Sequence, residues 1–170
     1  MQWVAIMSAT LYQHIYINNL DVLSYDRGMA MTIQQLGQAV KRLQVKHHRA
    51  GNEALKPLGI SIVQWDALRH LHAHPGSSLH DLAVLTFQTD QAFGTLATRM
   101  EARGLIRRTD GPGRAIRPEL TPEGERVLAE GTRSIDAVLR ASFERLSATE
   151  RVAFGEMLAR VVDDAPGVGI

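Results

Sequence analysis

The stretch from Ser78 to Thr121, SLHDLAVLTFQTDQAFGTLATRMEARGLIRRTDGPGRAIRPELT, constrains the fold more than any other part of the chain. Ser78 and Asp81 have the spacing of a capping box, in which side-chain oxygens satisfy the free amides at a helix start. A short helix over Leu79 to Leu85 follows and buries Leu79, Leu82, Ala83 and Leu85. After a break, Thr89 caps a longer helix expected from Thr89 to Arg103. Its residues Phe93, Leu96 and Met100 recur at helical spacing and should face inward. Asp90, Gln91, Ala92, Thr95, Thr98 and Arg99 fall on the opposite face. Gly104 stands where a helix C-cap needs a left-handed backbone. Leu105 to Arg108 then reads as a strand, Gly111-Pro112-Gly113 as a turn, and Arg114 to Leu120 as a return strand that Pro118 confines to an edge.

Two helices joined by a tight turn and followed by a basic hairpin are the parts of a winged helix-turn-helix, whose second helix enters the DNA major groove. The charge distribution agrees. Net charge is only +1, so the chain as a whole has no strong basic field. After residue 98, however, the hairpin region carries Arg99, Arg103, Arg107, Arg108, Arg114 and Arg117 against only Glu101 and Asp110, whereas residues 119–170 carry six basic side chains against ten acidic ones. A basic end and an acidic tail fit an electrostatic footprint on one face; a solvated charged hairpin is the plain alternative. The absence of cysteine excludes disulfides, thiol redox sensing and Cys-ligated zinc, and fits an expected cytoplasmic location.

The flanks read as helices. Ile33, Leu36, Val40 and Leu43 form one stripe of a helix from about Met31 to Leu55, with Gly51 and Asn52 as a weak point and Pro57 with Gly59 as its end. Ser61 to Gln64 is a capping box opening a helix with Ile62, Trp65, Leu68 and Leu71. Thr121-Pro122 opens a long helix to about Leu146, and Ser147 to Glu150 caps a last one bearing Val152, Met157, Leu158, Val161 and Val162. Residues 1–28 differ from the rest: they are apolar and Asn-rich, with no Lys or Arg before Arg27. They lack the pattern of a signal peptide, and Gln13, His14, Asn18 and Asn19 interrupt them as a membrane span. They are expected to be either an extra helix on the dimer or an extension upstream of a functional start at Met29 or Met31. The expected organisation is a mainly α fold with a small β-hairpin wing. An extension occupies 1–28, flanking helices occupy 29–60 and 121–165, and a winged helix-turn-helix occupies 61–120.

Three phrases in order, LGISIVQWDALRHL (Leu58 to Leu71), LATRMEARGLIRR (Leu96 to Arg108) and GRAIRPELTPEG (Gly113 to Gly124), make the chain from about Ile33 to Asp164 resemble the MarR family of bacterial transcriptional regulators. The resemblance implies a homodimer interlocked through its first and last two helices, with 29–60 and 121–165 as a helical dimerisation region, and bound to a pseudo-palindromic operator. It also implies a repressor released by a small, often phenolic or aromatic, anion in a cleft between the dimerisation and DNA-binding regions. The groove-reading helix would be Thr89 through Arg103, and the wing-tip arginine that enters the minor groove would be Arg114. This chain departs from the pattern: Pro112 stands where an Asp often orients that arginine, Thr95 where many members have arginine, and Asp90 where a basic residue is common. Direct base reading then falls to Arg99 on guanine and Gln91 on adenine, with Thr95 and Thr98 beside them. Phosphate contacts are expected from Arg107, Arg108 and either Thr86 or Gln88.

The remaining constellations are weaker. His70 and His74 lie one helical turn apart, a metal-ligand spacing, but no Glu or Cys accompanies them, so no metal or other cofactor is expected. His47, His48 and Trp65 are candidate effector-binding residues; an exposed polar pair and a core aromatic are the alternatives. No nucleophile triad, carboxylate pair or nucleotide fingerprint is present, so no enzyme is expected. The expected partners are double-stranded DNA, a second copy of the chain and a small aromatic effector, with no membrane. The competing reading is a winged-helix protein-interaction module that does not bind DNA, which the near-zero net charge favours.

Overall fold

The computed structural model describes residues 31–110 and 116–163, with backbone only at Asp110, Ile116 and Asp163. The 1–28 extension, the Gly111-Pro112-Gly113 turn and Arg114 lie outside the described residues. The chain divides into two compact units, 1–40 and 41–170. The described part of the first is the beginning of a helix, and the buried core lies within the second.

The elements run α1 (Ile33–Leu55), a 3-10 turn (Lys56–Leu58), α2 (Ile62–Ala73), α3 (Leu79–Leu85), α4 (Asp90–Ala102), β1 (Ile106–Asp110), β2 (Ile116–Leu120), α5 (Pro122–Phe143) and α6 (Ala148–Asp163). Local chemistry sets most of their starts. The Ser61 and Gln64 side chains cap each other's amides at the head of α2, and Ser78 and Asp81 do the same for α3. Thr89 accepts from the Ala92 amide at the start of α4, and Thr121 from the Gly124 amide at the start of α5, where Pro122 occupies the first turn. Ser147 and Glu150 cap α6 reciprocally, at 3.2 and 2.7 Å. Each such cap stabilises its helix by about 1 kcal/mol. One box escaped notice in the sequence: Thr32 and Gln35 cap each other, so α1 begins at Ile33.

Two expectations need correction. Gly51 is no weak point: α1 runs through it, and the residue is buried. A methyl there would meet Ile62 Cδ1 at 2.7 Å and Ile135 Cδ1 at 3.1 Å, so the missing side chain is what lets the neighbouring helices approach. Asn52 anchors rather than breaks, because its Oδ1 accepts the Ile62 amide at 3.0 Å. The long helix α5 also ends three residues early, at Phe143, where the Leu146 amide turns back to the Phe143 carbonyl.

The core of the second unit gathers Leu55, Leu68, Leu82, Phe93, Met100, Leu105, Ile106 and Pro118, all fully buried. It therefore joins the end of α1, the helix-turn-helix and the root of the hairpin. Gly104 at φ 69° turns the chain out of α4, and the Leu105 amide returns to the Met100 carbonyl. Across the hairpin root, Thr121 donates its hydroxyl to the Gly104 carbonyl at 2.6 Å. The first turn of α5 lies so close that a Cβ on Gly124 would sit 2.0 Å from the Leu105 carbonyl oxygen. These contacts hold the hairpin root against α5.

Candidate nucleic-acid interface

In α4, Phe93, Ala97 and Met100 are buried, Leu96 is half-buried against the core, and Asp90, Gln91, Ala92, Thr95, Thr98 and Arg99 are exposed. The helix therefore presents the polar face that its periodicity implied. Thr95 and Thr98 direct their hydroxyls back to the Gln91 and Gly94 carbonyls, each at 3.0 Å. Arg99 has no hydrogen-bond or ion-pair partner among the described residues, which leaves its guanidinium fork open to an external acceptor.

Arg107 and Arg108, two other predicted cations, are engaged. β1 and β2 pair antiparallel with Arg107 opposite Glu119, and the Arg107 guanidinium donates twice to one Glu119 carboxylate oxygen, at 2.9 and 2.7 Å. Arg108, on the other face of the hairpin, donates to the Thr98 hydroxyl at 2.7 Å, and its Nε lies 3.2 Å from the Glu101 carboxylate without hydrogen-bond alignment. Arg108 thus braces the hairpin against α4, while Arg107 is held within the hairpin. Arg103 donates to the Gly59 and Leu58 carbonyls and ties the end of α4 to the turn before α2. These partners were invisible in the sequence, because they come from residues brought close only by the fold.

Of the two proposed phosphate-contact residues before α4, Thr86 is buried, and its hydroxyl donates to the Leu82 carbonyl at 2.7 Å. Gln88 is half-buried and donates to the Thr86 hydroxyl at 3.1 Å. Asp90, at the mouth of the same surface, pairs with His80, whose Nδ1 stands 2.9 Å from Asp90 Oδ1, and both side chains stay exposed. The hydrogen bond to Asp90, reinforced by that carboxylate's charge, pushes the His80 imidazole above its ordinary 6.5.

Between them stands a residue that sequence reasoning passed over. Phe87 takes φ 54°, the only positive φ of any non-glycine among the described residues, and its side chain is 76% exposed. A bulky residue in this left-handed region costs about 1–3 kcal/mol. The available signal was a large aromatic at a helix-turn-helix bend, where glycine or asparagine is the unstrained choice.

The predicted effector residues do not converge on one cavity. His47 Nε2 lies 2.7 Å from Ser142 Oγ, and its ring meets Phe143 edge-on at 5.4 Å. Burial, with help from Lys46, lowers its pKa, so His47 offers a hydrogen bond rather than a charge. His48 points along its own helix to Asn52 at 3.2 Å. Trp65 is half-buried, donates its indole N–H to the Thr132 hydroxyl at 3.2 Å and carries the Arg69 guanidinium 5.7 Å above its ring. Beside it a groove of about 290 Å³ runs between α2 and α5, lined by Arg69, His72, Glu125, Leu128, Ala129 and Thr132. Arg69, one turn after Trp65, was the missed residue there. His70 and His74 stack with centroids 6.2 Å apart.

Comparison with known proteins now bears on this geometry. A family model described as the MarR family matches residues 58–115. The HTH-type transcriptional repressor Rv2887 of Mycobacterium tuberculosis is 33% identical over 117 residues, 65% of this chain and 81% of that protein. The crystal structure of that repressor in complex with p-aminosalicylic acid superimposes with a TM-score of 0.64 at 27% identity, covering 74% of this chain and 97% of that one. A variant of the Escherichia coli MarR complexed with operator DNA shares the fold, with a TM-score of 0.68 at 21% identity over 74% of this chain and 92% of that one. A third of the residues shared across most of a relative's length, together with a helix-turn-helix and hairpin built as described, places this chain in the MarR family of transcriptional regulators.

Proposed function

We propose that the chain works as a cytoplasmic homodimer that reads a pseudo-palindromic operator with α4 and the hairpin, and that it represses transcription until a small aromatic anion releases it. The observation that carries this is α4 itself: Phe93, Ala97 and Met100 are buried by its own chain, while its exposed side offers Gln91, Thr95, Thr98 and an Arg99 with no partner among the described residues. A dimer would set two such helices about 34 Å apart, one turn of duplex. The domain assignment follows, with 29–60 and 121–165 forming the dimerisation region around a 61–120 DNA-binding unit. Support for the dimer comes from the apolar side chains left uncovered in one chain: Ile33, Leu36 and Val40 on α1, and Val152, Met157, Val161 and Val162 on α6.

For base reading we assign Arg99 and Gln91, flanked by Asp90, Thr95 and Thr98; for the backbone, Gln88, Arg107 and Arg108; and for the minor groove, Arg114. Release by an aromatic anion is supported by the salicylate-type complexes of the mycobacterial relative. On this chain the Trp65–Arg69 pair and the adjoining groove suit such a ligand better than His47 and His48, because they combine an aromatic face with a permanent cation, for which the ligand would compete with Asp66, 2.7 Å away on α2. An effector acts only through its differential affinity for the two states of the dimer.

The test is fluorescence anisotropy with a duplex selected from a random pool. Arg99→Ala should relax base preference at one position by about 1–3 kcal/mol. Arg114→Ala should weaken binding and make its salt dependence shallower. If neither substitution changes binding, the site assignment is wrong. The pairing of Arg107 with Glu119 and of Arg108 with Glu101 favours a second reading, a protein-interaction module. That reading predicts little affinity for random duplex and no steep salt slope.

A further inference from the structure

Phe87 carries two costs at once. Its backbone is held at φ 54°, where glycine or asparagine would sit without strain, and its ring is 76% exposed, so it contributes nothing to the core. The turn it occupies is well determined: the Phe87 amide donates to the Val84 carbonyl at 3.1 Å and the Gln88 amide to the Ala83 carbonyl at 2.8 Å. Val84, three residues earlier, is also exposed. Neither folding nor solubility favours an aromatic here.

Its position suggests what does. Phe87 directly precedes Gln88, the Thr89 cap and the exposed first turn of α4, Asp90-Gln91-Ala92. The chain at Phe87 thus leads directly into the residues proposed to enter the major groove. Among the base edges in that groove, the apolar group is the C5 methyl of thymine, which aromatic and aliphatic side chains recognise by contact. We propose that Phe87, with Val84 beside it, is a specificity residue that reads a thymine methyl at the outer edge of each half-site. This rests on the DNA-binding reading and adds to it a contact that polar complementarity alone would not locate. It also bears on the weak basicity of α4: an apolar contact supplies sequence preference without a charge.

The experiment uses the full chain and a duplex that the wild-type protein has selected from a random-sequence pool. Phe87→Gly and Phe87→Asn relieve the backbone strain, so both should fold and melt at or above the wild-type temperature. Both should bind the selected duplex roughly fivefold to tenfold more weakly. Replacing thymine by deoxyuridine, which removes only the methyl, should weaken wild-type binding at one position per half-site and leave both variants indifferent at that position. Equal affinity of wild type and variants, or equal sensitivity to deoxyuridine, overturns the proposal. The two levels fail differently. If Arg99→Ala impairs binding while the Phe87 variants do not, only the thymine contact falls. If the wild-type chain selects no duplex at all, the DNA-binding reading falls, and this inference with it.

Discussion

Two helices of similar periodicity meet opposite fates in this molecule. α4 covers its apolar stripe within one chain: Phe93, Ala97 and Met100 are at most 2% exposed. In α6 no described side chain is buried, and Val161 and Val162 remain 74% and 70% exposed. Ile33, at the beginning of α1, is 85% exposed. Burying one such side chain is worth about 1.5–3 kcal/mol. A chain that leaves this many uncovered at both ends has unspent association energy there, while its reading unit is complete alone. The difference separates what a single chain covers from what the proposed dimer would cover, and each prediction acts on one side of it.

The largest effect should come from the open side. Val161→Asp with Val162→Asp places charges in the uncovered stripe of α6. Sedimentation should then show a monomer that keeps its helix content by circular dichroism. Duplex affinity should fall about a hundredfold or more, because two linked half-sites become one. A dimer that survives both substitutions moves the interface away from α6.

Next is the closed side. Gly124→Ala forces a methyl toward the Leu105 carbonyl, 2.0 Å from its ideal position, and should cost about 1–3 kcal/mol of thermal or denaturant stability. An unchanged melting curve would mean that α5 and the hairpin root can separate without loss, and that the reading unit is less self-contained than its burial implies.

A smaller effect refines how that unit meets DNA. Glu119→Gln removes the carboxylate that holds Arg107, freeing a guanidinium for a phosphate. Duplex binding should tighten a few-fold, and its slope against salt should steepen by about 0.9 for each protomer bound, so by about 1.8 for a dimer. A slope that does not move would mean that Arg107 makes no phosphate contact even when free.

The smallest effect concerns the mouth of α4. His80 titrates above its ordinary 6.5 because of its hydrogen bond to Asp90 and that residue's charge. A raised folded-state pKa means that the pair's contribution is fully present below 6.5 and is lost as pH rises through the raised value. An NMR titration should show a His80 midpoint above 6.5, and Asp90→Asn should return it toward that value. A midpoint unaffected by Asp90→Asn would rule out the bridge in solution.

How much was legible in the sequence follows the range of each interaction. Ser61 with Gln64, Ser78 with Asp81, Thr89, Thr121 with Pro122, and Ser147 with Glu150 act within a few residues, and each marks the helix start it predicted. The polar face of α4 was equally legible, since periodicity alone determines which residues share a side. Misreadings arose where the partner is distant. Gly51 reads as a defect until Ile62 and Ile135 are seen against it, and Thr86 reads as a surface hydroxyl until its burial is known.

By itself the sequence determined the element order, the helix caps and the face that α4 presents, because backbone hydrogen bonding and side-chain periodicity are local. It also carried enough of the phrases between Leu58 and Gly124 to show the family resemblance. Only the tertiary structure decided which cations stay free. Arg107 and Arg108 look alike in sequence, yet Glu119 and Glu101 reach them only after the hairpin forms and folds onto α4, while Arg99 has no partner among the described residues. The left-handed backbone of Phe87 belongs to the same class. A dihedral angle at a turn is set by the two helices it joins, α3 and α4, and neither helix is in place until the core around Leu82 and Phe93 has closed.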